Sequence, residues 1–504
     1  MFKNTDFYYP REYNEILSDV FREFPNNFGA LASPTLSKQE TVTHLYDTII
    51  NQKKGIKETI NILVYIIQFP LRIGFMFIRM VYINSITKVS NIPKDAIVFR
   101  TWLVPKCFNG KTLVDDYFRR LPSDLDKEGA EIVCLYSTIN VEHAKKFKHI
   151  HKKKNQIVSL GIITFKSIVF LFFEYLFTAL IKAKKDYYLN GVKITNYLNR
   201  SLLKDYFLLR SFEAYVEKYV CAELIKYNPK VFMYVYENQS WEKVCCMILK
   251  KKKVLLVGYQ SSGFSSIFLN FFPTKKDMEQ FFFPDLLFTV GENFKNYLLK
   301  HGNYSFPVEV FSALRFDYDF EGDFYIVKEP NLEILRKILY AFPVQIEQYE
   351  ILLNDLIEVF GSSEIQVDLK FHPLYNLNDL KNIKYLPDNF CIVNDLDMDK
   401  LSDVYDCVIF NDNSFGIEAL IHGVMAFEYN RFGNFYDERF IYFDLWNSKI
   451  SFEELGELRQ KISSLEFVKE YQLSLVSAYI NKMYRPYNEK SLQQFMDRVG
   501  VFQS

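Results

Sequence analysis

The chain has 504 residues, more than one ordinary hydrophobic core accommodates, so we expect two α/β domains. Lys plus Arg and Asp plus Glu both total 61, and this zero formal charge excludes a globally basic protein of the nucleic-acid-binding kind. The seven cysteines lack paired metal-ligand spacing, and their odd number argues against a disulfide framework, so a reducing cytoplasm fits best.

Residues 1–95 are interpreted as an N-terminal helical segment with possible membrane association. The first residues contain no apolar core of signal-peptide type, so nothing indicates export. From Ile60 to Ile83 the chain is strongly apolar, but Gln68, Pro70, Arg72 and Arg79 interrupt it. Because such residues are costly at the centre of a bilayer, the pattern favours a helical pair lying in the membrane interface over a spanning helix.

A second apolar run extends from Ile157 to Ile181 and predicts one apolar helix. Lys166 and Glu174 are its only charged residues, and its length could span a bilayer. Lysines flank it on both sides, so a positive-inside bias selects no orientation, whereas a helix lying on anionic lipid accommodates both flanks. A helix buried in a large core and a spanning helix remain the alternatives.

Residues 96–316 alternate between strand and helix patterns and predict a first Rossmann-like domain with a parallel sheet. The predicted strands are 96–102, 131–136, 231–236, 254–259, 286–290 and 308–311, and the predicted helices are 113–121, 201–227, 241–250 and 292–301.

An acidic stretch at 317–329 is the predicted linker to a second Rossmann-like domain at 330–485, followed by a C-terminal tail at 486–504. The second domain repeats the alternation: strands at 337–341, 367–371, 391–393, 407–410 and 424–429, and helices at 345–360, 398–405 and 417–422. We therefore predict two Rossmann-like domains that face each other across a cleft.

The apolar strand before residue 372 ends in Lys370-Phe371-His372-Pro373, and Pro373 prevents the strand from continuing. An imidazole at the carboxyl end of a parallel strand can donate a hydrogen bond to a phosphate oxygen as a leaving group departs. A turn histidine without a ligand is the alternative.

The strand at 407–410 ends in small polar residues, Asn411, Asn413 and Ser414, ahead of a helix whose first turn contains Glu418. Helix capping alone explains Asn or Ser at this place. The free amides of a helix start also attract an anion, and Glu418 can accept hydrogen bonds from a ribose or a base.

Together, the His-Pro element and this later strand, loop and helix resemble the donor half of bacterial GT-B glycosyltransferases with CMP- or CDP-activated donors. These include sialyltransferases and Kdo transferases, and also teichoic-acid glycerophosphotransferases. The resemblance implies that His372 and Ser414 hold the CMP phosphate. The chain departs from the pattern at Asn413-Ser414-Phe415, where a Ser-Ser or Ser-Thr pair is usual, and it has no clear copy of the sialyltransferases' acidic base motif.

Segments of the N-terminal half are similar to bacterial surface-carbohydrate biosynthesis proteins, and this similarity extends from about Ile97 onward. The segments are Arg100-Thr101-Trp102, Asp116-Tyr117-Phe118, Leu121-Pro122, Tyr236 to Glu242, Gly258 to Ser261, and Ala313-Leu314-Arg315.

A catalytic base is expected at Glu237, which ends a very apolar strand in the half that should hold the acceptor. Burial would raise its pKa towards a useful range. The alternative is an ordinary carboxylate beside the start of the next helix. Asp115 and Asp116 are further candidates, or simply a solvated helix start.

Other polar residues at strand ends could complete the site. The amide and hydroxyl groups of Gln260, Ser261 and Ser262 could bind sugar hydroxyls. The alternative is that these residues only form the turn after the strand. Arg100 and Arg315 could each pair with a carboxylate or phosphate of the donor, and a structural salt bridge is the alternative for each.

The sequence therefore predicts a metal-independent GT-B glycosyltransferase without a cofactor, peripheral on the inner face of the cytoplasmic membrane. It would transfer a sugar from a nucleotide donor, CMP-activated by resemblance, to a surface polysaccharide or its lipid-linked precursor. Asp395-Leu396-Asp397 precedes a helix and is interpreted as its solvated approach, not as a metal site. A CDP-polyol phosphotransferase of teichoic-acid type and a non-catalytic assembly protein are the alternatives.

Overall fold

The computed structural model divides into two compact units. Unit 1 comprises residues 1–262, 266–316 and 487–504, and unit 2 comprises residues 263–265 and 317–486. Within them the structure describes residues 8–25, 27–39, 55–89, 92–150, 155–178, 180–189, 191–261, 263–264, 268–280, 282–316, 320–326, 336–343, 346–372, 375, 380, 385–393, 396–411, 413, 415–429, 431, 451–462 and 473–500.

Unit 1 is built on a parallel sheet whose strands we label β1 to β7 in chain order. Its strand order is β3-β2-β1-β4-β5-β6-β7, the order of a Rossmann fold extended by one strand. Most strands read as apolar runs because helices cover both faces of such a sheet. The bounds are β1 Ile97–Trp102, β2 Ile132–Ser137, β3 Gln156–Val158, β4 Val231–Val235, β5 Leu255–Gln260, β6 Leu286–Thr289 and β7 Val308–Val310.

The helices of unit 1 include one from the end of the chain, where the sequence predicted only a tail. That helix buries Phe495 against Phe99 and Phe311. The helices are α1 Tyr8–Arg22, α2 Phe28–Ala32, α3 Gly55–Thr87, α4 Leu121–Lys127, α5 Val141–His149, α6 Phe165–Leu176, α7 Thr195–Phe207, α8 Phe212–Leu224, α9 Ser240–Lys250, α10 Lys275–Gln280, α11 Glu292–His301 and, at the C-terminus, α17 Glu489–Val499.

Unit 2 has its own parallel sheet, with strand order β10-β9-β8-β11-β12-β13, again the Rossmann order. The strands are β8 Lys337–Ala341, β9 Gln366–Lys370, β10 Phe390–Ile392, β11 Cys407–Phe410, β12 Met425–Tyr429 and β13 Ser451–Phe452. The helices are α12 Tyr349–Phe360, α13 Leu401–Val404, α14 Phe415–Ile421, α15 Leu455–Ile462 and α16 Leu473–Met483. The predicted class, an α/β protein with two Rossmann-like units and an added apolar helix, is confirmed.

The predicted helix at 113–121 is wrong. The carboxylate of Asp115 accepts a hydrogen bond from the backbone N–H of Tyr117 at 2.8 Å and a second from Phe118, which closes a turn in place of a helical turn. Arg119 then takes a left-handed backbone conformation with φ of 46°. Helix α4 begins only at Leu121, with Pro122 in its first turn, where a missing N–H does no harm.

The predicted helix at 201–227 is two helices, α7 and α8. Between them Leu209 has a φ of 59°, which no helix interior adopts, so the chain turns at this point.

The apolar run 157–181 is not one helix. Its first residues belong to edge strand β3, which pairs in parallel with β2, and a single 3₁₀ turn, Ser159–Gly161, follows. Helix α6 has only 12 residues, too few to span a bilayer. A uniformly apolar run has no periodicity to separate a buried strand from a helix, and the prediction merged the two.

The apolar segment near residue 60 is one helix of 33 residues, α3, and not a helical pair. Pro70 lies inside it, yet Phe69 and Ile73, on either side of Pro70, are both buried against the rest of unit 1. By length and composition, Ile60–Thr87 is long and apolar enough to cross a membrane.

Candidate functional site

In each unit the winding of the sheet reverses between its first and fourth strands, and the candidate residues lie around that reversal. The reversal lies between β1 and β4 in unit 1 and between β8 and β11 in unit 2. Ligands of open parallel sheets bind outside the carboxyl ends of the strands at such a point, because the connecting loops diverge there. Glu237 follows β4, and Asn411 follows β11 directly.

In unit 2, the phenol of Tyr349 fixes the backbone at His372. Its hydroxyl donates to the carbonyl of Pro343 after β8 at 2.7 Å and accepts from the backbone N–H of His372 after β9 at 3.1 Å. Tyr349 is fully buried, so this bridge between two loops is held rigidly, while the His372 side chain is half-buried.

Asn413 is committed to holding the loop after β11. Its amide donates to the carbonyls of Ala341 and Asn411, both at 2.9 Å, and its Oδ1 accepts from the N–H of Phe415 at 2.9 Å. The capping interpretation of this residue is therefore correct, and its role in a site is to position the loop.

Asn411 is buried and differs from Asn413. Its Nδ2 donates to the carbonyl of Tyr429, whereas its Oδ1 has no hydrogen-bond partner within the described part of the chain. Because a buried acceptor without a partner is costly, this oxygen is suited to a donor group of a ligand.

Helix α14 lies directly on the end of β11 because its second residue is Gly416. A Cβ built at Gly416 would lie 2.3 Å from two ring atoms of the buried Phe410. Only glycine therefore allows the start of α14 and the Asn413 loop to approach the sheet this closely.

We expect Gly416→Ala to destabilise unit 2 by about 1 to 3 kcal/mol, because the added methyl displaces α14 from the Phe410 ring. Gly456, the second residue of α15, is the matched control: its Cβ would meet no atom within 4 Å. Gly456→Ala should be neutral or slightly stabilising. Urea unfolding of the two variants measures the difference, and equal free energies of unfolding would contradict this account of α14.

Glu418 is half-buried in the first turn of α14. Lys370, the last residue of β9, places its ammonium 5.4 Å from the ring centre of Phe415. Pro373 and Ser414 lie outside the residues that the structure describes, as does Asp395.

In unit 1, Arg100 is fully buried, and its guanidinium is sandwiched between two indoles. Its Cζ lies 3.9 Å from the ring centre of Trp102 and 3.6 Å from that of Trp241. The Nη2 atom donates to Glu217 at 2.7 Å and to Glu213 at 3.0 Å. A direct contact between Arg100 and a ligand is therefore not supported; the predicted structural alternative, a salt bridge, is what the structure has.

The two carboxylates that pair with Arg100 differ in exposure. The Glu217 side chain is 0% exposed, whereas that of Glu213 is 38% exposed. One buried carboxylate already neutralises the guanidinium, so Glu213 carries a surplus negative charge. Desolvation, together with repulsion by Glu217 and Glu237, raises the pKa of Glu213 to about 7, although Arg100 opposes the shift.

Glu237 lies at the turn between β4 and α9. Its carboxylate accepts a hydrogen bond from the Gln239 side chain, and its backbone N–H donates to Glu242 at 3.0 Å. Burial raises the pKa of Glu237, while Arg100 and Arg315 oppose the shift. The capping box of α9 uses Gln239 and Glu242, so the carboxylate of Glu237 is not needed to cap that helix.

Arg315 and Asp116 form a pair beside this cluster, with Nη2 and Oδ2 3.3 Å apart. The Arg315 guanidinium also lies 5.2 Å from the ring centre of Tyr117, whose pKa burial raises to about 12. Asp115 is buried in its turn and caps backbone amides. Arg315 therefore belongs to unit 1, and its expected role in donor binding stays a prediction.

Gln260 and Ser261 close β5 and are buried. The Oε1 atom of Gln260 accepts from the N–H of Val290 at 3.3 Å, a contact that ties β5 to the loop after β6. The Oγ atom of Ser261 is buried and has no hydrogen-bond partner within the described part of the chain, and the expected contact of Gln260 and Ser261 with sugar hydroxyls stays a prediction. Ser262 lies outside the described residues.

Three side chains could together ligate a metal ion: Glu217, Cys221 and Cys245, whose donor atoms lie within 4.8 Å of one another. All three are buried, and Glu217 is already paired with the Arg100 cation. A second cation at this place would be repelled by Arg100, so we assign no metal to it.

The raised pKa of Glu213 predicts a pH-dependent stability. Between about pH 4.5 and about pH 7 the folded chain retains a proton that the unfolded chain has released, so this group lowers stability as pH rises through that window. We expect Glu213→Gln, which still accepts a hydrogen bond from Arg100, to show a smaller loss of stability than wild type between these pH values. Denaturant unfolding at both pH values tests this, and parallel losses would contradict it.

Sequence reasoning missed Tyr349, Glu213 and Glu217, and only the two glutamates had a usable signal. They lie four residues apart on one face of α8, and two acids on one face of a largely apolar helix indicate a buried cationic partner. Nothing in the sequence connects Tyr349 to the loops that its hydroxyl joins.

No protein-family model and no curated protein matches the chain. Solved structures with a similar fold include the glycosyltransferase SnogD from Streptomyces nogalater, at 12% identity and a TM-score of 0.43 over 80% of this chain and 99% of that one. A UDP-N-acetylglucosamine 2-epimerase from Rickettsia bellii matches at 11% identity and a TM-score of 0.41, over 81% of this chain and 98% of that one. A variant of the wall teichoic acid polymerase TagF matches at 11% identity and a TM-score of 0.39, over 88% of this chain and 97% of that one. At these TM-scores the likeness assigns neither a reaction nor a substrate.

Proposed function

We propose that the protein is a glycosyltransferase that takes a sugar from a CMP-activated donor held by unit 2. The observation that carries the proposal is the placement of His372 and Asn411 beside the reversal point of the unit 2 sheet. His372 would hold the leaving phosphate, and the buried Oδ1 of Asn411 would accept a hydrogen bond from the nucleoside. Pro373, Ser414 and Glu418 complete the proposed donor site.

The charges of the two units support this division of roles. Around Glu237, unit 1 gathers four carboxylates, those of Glu213, Glu217, Glu237 and Asp116, against the guanidinium groups of Arg100 and Arg315. Such a site repels a phosphate and suits a neutral hydroxyl acceptor. The described residues at the unit 2 edge include Lys370 and His372 and are better suited to an anion.

The proposed reaction breaks the bond between the anomeric carbon and the phosphate oxygen of the donor and forms a bond from that carbon to the acceptor oxygen. Glu237 takes the proton of the acceptor hydroxyl, for which its raised pKa is suited. The electron pair of the broken bond leaves with CMP, whose phosphate His372 stabilises by a hydrogen bond. Charge stabilisation by these groups needs no metal ion.

The CMP donor and the acceptor follow from the sequence resemblance. We propose a surface polysaccharide or its lipid-linked precursor as the acceptor, reached from the inner face of the cytoplasmic membrane.

Purified protein incubated with a CMP-sugar and, separately, with CDP-glycerol tests the proposal. Both reactions release CMP, but glycosyl transfer adds no phosphorus to the acceptor, whereas glycerophosphate transfer adds one phosphate to it. We expect turnover of the CMP-sugar. Turnover of CDP-glycerol alone would establish the polyol phosphotransferase instead, and turnover of neither, with no nucleotide binding, would indicate an assembly protein.

A further inference from the structure

We propose that helices α3 and α6 form one apolar platform by which unit 1 rests on the surface of an anionic bilayer, with α3 lying in the membrane plane. The proposal deepens the membrane location given above, but it does not depend on the transferase chemistry.

Helix α3 carries two opposite apolar stripes. The buried stripe contains Ile62, Phe69, Ile73, Met80 and Ile83, at helical spacing. An ordinary surface helix would be polar on its other side, yet α3 exposes a second apolar stripe of Ile60, Ile67, Leu71, Phe75, Ile78 and Tyr82. Ile67 is 76% exposed and Phe75 is 68% exposed, so this stripe is open to a partner.

The buried stripe fastens α3 lengthwise to unit 1. Phe69 packs on Tyr206 and Phe207 at ring-centre distances of 5.0 and 5.3 Å. Near the C-terminal end of α3, the Asn84 amide donates to the carbonyls of Leu160 at 2.6 Å and Ile163 at 2.9 Å. Phe69 and Asn84 are 15 residues apart, so α3 is fastened along about 22 Å of its length. A helix fastened in this way cannot cross a bilayer without taking charged parts of unit 1 into the lipid. It therefore lies in the plane of the interface.

Helix α6 extends the platform. Phe77 of α3 meets Phe172 of α6 at 4.7 Å between ring centres, so the two helices are joined side by side. Helix α6 exposes Phe170 and Phe173, and Phe177, which follows its last residue, is 82% exposed. Helices that lie in the membrane interface bury an apolar face at the boundary between headgroups and acyl chains. The two adjoining helices α3 and α6 expose aromatic and aliphatic side chains that provide such a face.

The charges around the platform select an anionic lipid surface. From Ile60 to Thr87 there is no Asp or Glu, and Arg79 and Lys88 are exposed on or just after α3. On α6, Lys166 is exposed, while its one acid, Glu174, is paired with Lys218 and Tyr219. A basic border around an apolar face is complementary to anionic headgroups and not to a second copy of the same basic surface.

Flotation of the full chain with vesicles tests the proposal. We expect binding to vesicles of phosphatidylcholine mixed with phosphatidylglycerol, and several-fold weaker binding to phosphatidylcholine alone. The double variant Ile67→Glu, Phe75→Glu should bind the mixed vesicles at least about tenfold less, and Phe177→Glu should also bind less. The controls Leu299→Glu and Phe324→Glu, at exposed apolar residues elsewhere, should bind as wild type.

Size-exclusion chromatography with light scattering shows whether a variant is misfolded and whether the wild type is a dimer. Each variant should elute as the wild type does. Equal vesicle binding by the double variant would overturn the proposal, as would a wild-type dimer that this variant dissociates. Resistance of bound protein to alkaline extraction would also overturn it, because only a spanning helix gives that result. Turnover of donor in lipid-free solution should be the same in wild type and the double variant, which separates this test from that of the function.

Discussion

Replacing His372 with alanine is expected to lower turnover of the CMP-sugar by about a hundredfold to a thousandfold, the usual cost of losing one preorganised donor to a developing negative charge. The side chain follows β9 beside the reversal point of the unit 2 sheet, and its backbone is fixed by the Tyr349 hydroxyl. Initial-rate measurement of CMP release reports the effect directly.

Two further variants distinguish chemistry from folding. Tyr349→Phe removes the hydroxyl that bridges Pro343 and His372, so we expect a smaller loss of turnover, about tenfold, with little change of melting temperature. His149→Ala changes an exposed histidine of α5 and should be without effect. Wild-type turnover in the His372→Ala variant would remove this residue from the donor site.

Replacing Glu237 with glutamine is expected to lower sugar transfer by a factor of about 10² to 10⁴, because the variant cannot take the acceptor proton. Glutamine keeps the size of the side chain and can still accept a hydrogen bond from Gln239, so the turn before α9 should persist. In wild type, transfer should fall at low pH as Glu237 becomes protonated, at a pH above the ordinary range of a glutamate because burial raises its pKa.

The control for this variant is Glu292→Gln, a substitution of the same kind at an exposed glutamate in the first turn of α11. It should transfer sugar as wild type does. If Glu237→Gln retains full transfer and the same pH profile, the base lies elsewhere, and Glu213, with its pKa of about 7, becomes the residue to test.

The features visible in the sequence were those that depend on short stretches of chain. Apolar runs that end in polar residues identified β9 and β11, and therefore the edge that carries His372 and Asn411. The two Rossmann-like units follow from the alternation of such runs with helical periodicity.

What could not be predicted depends on side chains distant in sequence. Trp241 covers Arg100 from another element of the fold, and Glu213 and Glu217 come from helix α8, so the burial of Arg100 had no local signal. The same limit applies to 157–181, where the pairing of β3 with β2, and not any local pattern, separates a strand from the helix that follows.

Titration of the purified chain with CMP in a calorimeter tests the central claim, that unit 2 holds a cytidine nucleotide at His372, most directly. We predict saturable binding by the wild type, binding weakened at least about tenfold in His372→Ala, and unchanged binding in Glu237→Gln. Absence of binding to the wild type, or equal affinity in the wild type and His372→Ala, would contradict the claim.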